Sequence, residues 1–217
     1  MEQAAFELAV RQRAPTARQP ELEARARRLA WLGIGWHAIE AVISLLAGIA
    51  AGSIALVAFG ADSVIEGFAG GILIWRFTGT RAGSEAAELR AQRLIAITFF
   101  VLAAYVAIEA ARTLINADHP AVSWVGIGLA AVTVVIMPLL ARAKARVGYE
   151  LGSSATSSEG RQNQICAYLS AALLVGLGAN ALLGWWWADH ATALAIAAVA
   201  VSEGRDAWRG EACCEVC

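Results

Sequence analysis

Residues 52–76 read GSIALVAFGADSVIEGFAGGILIWR, and the choice of fold turns on them. Between Gly52 and Arg76 the only charged residues are Asp62 and Glu66, set in an apolar run long enough to be a membrane helix. About 20 apolar residues in a helix cross the ~30 Å hydrocarbon core of a bilayer. Windows of this kind recur at roughly 29–51, 54–76, 94–115, 121–141, 160–183 and 186–204. The expected fold is therefore an all-α membrane protein, a six-transmembrane-helix bundle over residues 29–207 with N and C termini cytoplasmic. Residues 1–28, with six arginines among acids and prolines, read as a cytoplasmic N-terminal arm rather than a cleaved signal. Residues 208–217 read as a cysteine-containing cytoplasmic tail.

Working outward, the whole chain of 217 residues is 59% hydrophobic and 16% charged, a balance that suits lipid rather than water as solvent. A net charge of -1 supplies no basic face for nucleic acid, so the expected surroundings are membrane lipid, in the plasma membrane. Sixteen of the 17 Lys and Arg residues fall in the two ends or in the 77–93 and 142–159 connectors and their borders, and only Arg112 falls on the other side. The positive-inside rule then sets the orientation. Trp31, Trp75, Trp124, Trp185, Trp186, Trp187 and Trp208 lie at predicted span ends, as interfacial rings do.

The chain also aligns with itself. Gly52-Ser53-x-Ala55 and Gly60 match Gly152-Ser153-x-Ala155 and Gly160 at one offset of 100. The first copy opens the second span and the other opens the fifth, which run in opposite directions; inverted pairs commonly bracket a midplane site in transporters. Equal distances from each copy reach Asp62 and Glu66 on one helix and Gln162 and Cys166 on the other, each pair at i, i+4 on a shared face.

A carboxylate at the bilayer centre costs at least ~2.5–3.5 kcal/mol on insertion scales, so two on one face need water, a proton or a cation beside them. Their mutual repulsion suits exchange of protons for a divalent cation. A protonated dyad hydrogen-bonded to neighbouring helices is the plainer alternative. His37, Glu40 and Ser44, at i, i+3, i+7, form a polar stripe on the first span that serves as route or outer shell of such a site, or as an interhelical hydrogen bond. Glu159, Gln162 and Cys166 repeat that spacing from the inner mouth of the fifth, Cys166 being a soft ligand or a packing residue. Glu109 precedes Arg112 by three residues, the spacing of a local ion pair, with metal contact as the other option. Cys213, Cys214 and Cys217 could capture a soft metal or make a reactive disordered tail.

Gly48-x-x-x-Gly52-Ser53-x-Ala55-Leu56, the acidic pair, Gly184-Trp185-Trp186-Trp187-x-Asp189 and Glu203-Gly204 resemble the cation diffusion facilitator family. The resemblance implies a six-helix, homodimeric exporter of divalent metal in exchange for protons, with a tetrahedral site of four residues from the second and fifth helices. Those positions fall on Asp62, Glu66, Gln162 and Cys166; Gln162 and Cys166 depart from the usual His/Asp and Asp. The family commonly carries a cytoplasmic domain after the sixth helix, for which no residues remain, so the chain reads as a short, divergent member.

The expected function is a proton-coupled divalent metal transporter working by alternating access, with zinc favoured and cobalt, cadmium, iron or manganese possible. A non-transporting membrane metal sensor or accessory subunit is the alternative. No nucleophile with an adjacent base and no histidine cluster suggest an enzyme, and no organic cofactor is implied.

Overall fold

Each apolar window is realised as a helix. The computed structural model describes residues 19–77, 85–151 and 154–209, and among these lie six helices and no strand: α1 Gln19–Ala51, α2 Ile54–Phe77, α3 Glu85–Ile115, α4 Trp124–Leu151, α5 Ser154–Leu183 and α6 Trp187–Arg209. Within α1, α3, α4 and α5 lie stretches long and apolar enough to cross a membrane. The helices outrun the lipid-sized windows. Helix α1 begins inside the expected N-terminal arm, and α4 and α5 extend through most of the expected 142–159 connector. Glu, Ala, Arg and Leu are strong helix formers, so the helix continues past the apolar stretch.

Polarity in the bundle is inverted relative to a water-soluble protein. On α1, His37, Glu40 and Ser44 are buried while Ile39, Val42, Leu46 and Ile49 face outward. That is the arrangement lipid demands, with polar groups turned to the bundle interior. Helices α1, α2, α4 and α5 pack around one another, and α3 and α6 pair beside α2.

Three short turns gather at one end. Gly52, at φ +65, closes α1, with the Ser53 N–H donating to the Gly48 carbonyl at 3.0 Å. Glycine takes this left-handed conformation without steric cost, so the chain can reverse at once into α2. The turn after α5 uses Gly184 at φ +66 in the same way. The 116–123 loop is tied to both: Ala121 N–H donates to the Ala51 carbonyl at 2.8 Å, and Asn180 Nδ2 to the Pro120 carbonyl at 3.1 Å. His119 stacks on Trp186 with ring centroids 4.7 Å apart, so Trp186 belongs to this turn cluster, whereas Trp31, Trp124, Trp185, Trp187 and Trp208 are exposed. With the α1–α2, α3–α4 and α5–α6 turns together, the chain alternates direction at each helix, so that α2 and α4 end, and α3 and α5 begin, at the far end.

The internal repeat has a packing counterpart. A Cβ at Gly60 would stand 3.0 Å from the Leu45 backbone nitrogen of α1, and one at Gly160 would stand 3.0 Å from the Ala141 carbonyl oxygen of α4. The same repeat position therefore seats α2 on α1 and α5 on α4. Gly152 and Ser153, the start of the second copy, lie outside the described residues.

Candidate metal centre

Close packing of α1 on α2 brings the α1 stripe against the acids of α2. Glu40, fully buried, is the hub. Its Oε1 accepts a hydrogen bond from Thr133 of α4 at 2.6 Å and its Oε2 one from Ser63 of α2 at 2.9 Å. The Cys166 thiol of α5 lies 3.8 Å from Oε2, and His37 Nδ1 lies 3.4 Å from it. Ser44 donates to the Glu40 carbonyl one turn along α1. Four helices thus converge on one carboxylate, which fixes the side chains around it.

In front of this hub stand His37, Glu66 and Cys166, whose ligand atoms all lie within 4.8 Å of one another and which are all buried. His37 Nδ1 and Glu66 Oε2 are 3.2 Å apart, yet neither makes a hydrogen bond. Buried polar atoms are rarely left without a partner, so two facing each other mark a place where a proton or cation belongs. Bonds of ~2.0–2.3 Å in a tetrahedral zinc site set ligand atoms about 3.3–3.8 Å apart, so a small contraction of a trio already within 4.8 Å would complete three corners. The other Glu66 oxygen, Oε1, accepts a hydrogen bond from Gln162 Nε2 at 3.3 Å.

The expected residues divide accordingly. Glu66, Gln162 and Cys166 come together across α2 and α5. His37 stands among the ligand atoms, and Glu40 stands behind them. Asp62, one turn from Glu66, is buried in the electrostatic field of Glu203 on α6 and of Glu40, and is not a member of the compact group. Glu159 pairs with Lys144 at 3.3 Å, and Glu109 with Arg112 at 3.6 Å. Cys213, Cys214 and Cys217 lie outside the described residues.

Asp189 of the Trp-rich motif takes a structural position at the turn end. Its Oδ1 accepts from Ser53 Oγ at 2.5 Å and its Oδ2 from the Ala55 N–H at 3.3 Å, which ties the start of α2 to α6. Thr133 and Lys144 on α4, and Asn163 on α5, escape a reading based on charge in apolar windows. The signal for the α4 pair is spacing: Thr133, Met137 and Lys144, at i, i+4, i+11, share one face and are all buried.

A buried His/Glu/Cys group on an inside-out helical bundle narrows the comparison. The profile of the cation efflux transmembrane domain matches residues 30–209, across all six helices. The chain belongs to the cation efflux family. A search of curated proteins finds no match. Cation efflux proteins are multi-pass membrane proteins, commonly dimers, and are transporters rather than enzymes; this chain is a cation transporter of that kind.

Proposed function

We propose that the protein exports a divalent metal ion, with zinc the favoured cargo, by alternating access coupled to protons moving the other way. The observation that carries this reading is the buried trio His37, Glu66 and Cys166, two of whose facing atoms have no hydrogen-bond partner. Imidazole, carboxylate and thiol together suit zinc or cadmium better than the hard cations magnesium or calcium. Each ligand must give up its proton to bind metal, so binding releases protons and the return of protons drives release. Asp62 supplies a second carboxylate one turn away to accept a proton or hand on the ion, and Gln162 orients Glu66. The protein acts as a homodimer in the plasma membrane, all six helices crossing and both termini in the cytoplasm. The orientation is supported by Arg142, Lys144, Arg146, Arg205 and Arg209, which lie toward the end opposite the three turns.

The test is zinc uptake into proteoliposomes under an imposed pH gradient. Wild type is expected to take up zinc when the lumen is acidic, and the Glu66→Ala, Cys166→Ala double variant is not. Uptake by the double variant at the wild-type rate would overturn the site. Zinc binding without flux in wild type would instead favour the sensor reading, which the neutral Gln162 at a ligand position motivates.

A further inference from the structure

Lys144 stands in sequence that reads as a polar connector, yet within α4 it is only 3% exposed. Its Nζ lies 3.3 Å from Glu159 Oε2 and donates to Asn163 Oδ1 at 3.0 Å. Asn163, itself buried, donates from Nδ2 to the Met137 sulfur at 3.0 Å, which keeps its amide oxygen turned toward the ammonium. Room for the ammonium comes from Gly33 on α1, where a Cβ would stand 2.7 Å from Nζ. On α2, Gly70 sits beside Glu159, with a Cβ position 3.6 Å from Oε1. The same four helices that surround the trio therefore surround this second cluster. Glu159 precedes Cys166 by seven residues on α5, which places it ~10 Å along the helix axis toward the end opposite the three turns.

Burying an ammonium is costly, and an apolar pair of similar volume would serve packing at least as well. What the apolar pair could not do is hold a positive charge at the entrance to an acidic interior. A carboxylate and an amide oxygen converging on one point form a donor pair for a metal cation, and here that point is filled by a tethered ammonium.

We propose that Glu159 and Asn163 form a loading site for the divalent ion, and that the Lys144 ammonium occupies it as a built-in stand-in cation which the ion displaces. This rests on the trio being the ion's destination. Competition from Lys144 keeps the loading site weak, so that ions pass on to the trio rather than lodge at the mouth. Between ions, Lys144 keeps Glu159 neutralised.

The experiment uses the purified full-length chain in detergent micelles, with Cys213, Cys214 and Cys217 changed to serine, and zinc ion alone in equilibrium dialysis. Two classes of zinc site are expected, the weaker at Glu159 and Asn163. Lys144→Met, which keeps an unbranched stem of similar length, should tighten the weaker class about tenfold or more, since it removes a buried positive charge beside the ion. In a Glu159→Gln background that gain should vanish. Glu159→Gln alone should abolish the weaker class, which tests the site even if Lys144→Met does not fold. Cys166→Ala should remove only the tighter class, so an unchanged tighter class there would count against the trio and not against the loading site. The proposal is overturned if Lys144→Met leaves the weaker class unchanged or weakens it, if the gain survives Glu159→Gln, if Glu159→Gln alone keeps that class, or if wild type and Lys144→Met bind zinc in a single class.

Discussion

Replacing Glu40 by glutamine keeps the shape of the hub and removes its charge. Two hydroxyl donors, Ser63 and Thr133, would then bond to an amide rather than a carboxylate. A hydrogen bond to a charged group contributes about 1.5–3 kcal/mol and one between neutral groups about 0.5–1.5, so each loses roughly 1 kcal/mol and the two together about 2. The amide must also point an N–H at one of these partners, at Cys166 or at His37, all of which now face an acceptor. Groups that orient metal ligands from behind are worth about 10–100-fold in metal affinity, or ~1.4–2.8 kcal/mol. The two figures agree in size, which is what a carboxylate acting through His37 and Cys166 requires. Zinc affinity can be read by competition with a chromogenic chelator in detergent, alongside thermal unfolding of the metal-free protein. Glu40→Gln is expected to weaken zinc binding at least about tenfold and to lower the unfolding temperature. Wild-type affinity and wild-type stability together would refute the reasoning.

Cys166→Ser exchanges a soft ligand for a hard one, so cadmium affinity should fall far more than manganese affinity in parallel titrations. Asp189→Ala leaves the Ser53 hydroxyl and the Ala55 N–H without their acceptor, a loss of about 2–6 kcal/mol for two buried groups, seen as a lower unfolding temperature with zinc affinity little changed. Gly60→Leu drives a side chain into the α1 backbone at Leu45 and should abolish zinc binding by separating His37 from Glu66, as a binding titration would report. Zinc affinity should decline steadily from pH 8 to pH 6, because protons and metal compete for the same lone pairs.

Much of the architecture was legible because lipid imposes a simple rule on sequence, and the turns at Gly52 and Trp186 and the loop around His119 were legible from the gaps between apolar windows. The offset of 100 was informative about packing, since Gly60 and Gly160 occupy equivalent helix crossings, and it aligned Glu66 with Cys166, one turn from the Gln162 that hydrogen-bonds to Glu66 across the bundle. Rotation about each helix axis was not legible. Asp62 and Glu66 are one turn apart, but a 40° offset between i and i+4 is enough to turn Glu66 toward His37 of α1 and Gln162 of α5 while Asp62 stays outside the compact group. His37 joins the ligand atoms because α1 crosses α2 closely, a fact of tertiary packing that an α1 stripe alone does not specify. Lys144 was hidden by its own charge, since a lysine beyond an apolar window reads as solvated until Gly33 and Asn163 are seen around it.

The trio draws its members from positions 37, 66 and 166, so nothing short of the folded α1–α5 arrangement can hold them together. An ion that binds there is therefore a ligand of the native state and of no partly inserted or partly unfolded form. By mass action each tenfold rise in free zinc above the dissociation constant adds about 1.4 kcal/mol to the stability of the bundle. If the proposed function holds, scarcity of the metal would then thin out the population of the protein that carries it, and abundance would preserve it from proteolysis, without any change in its synthesis.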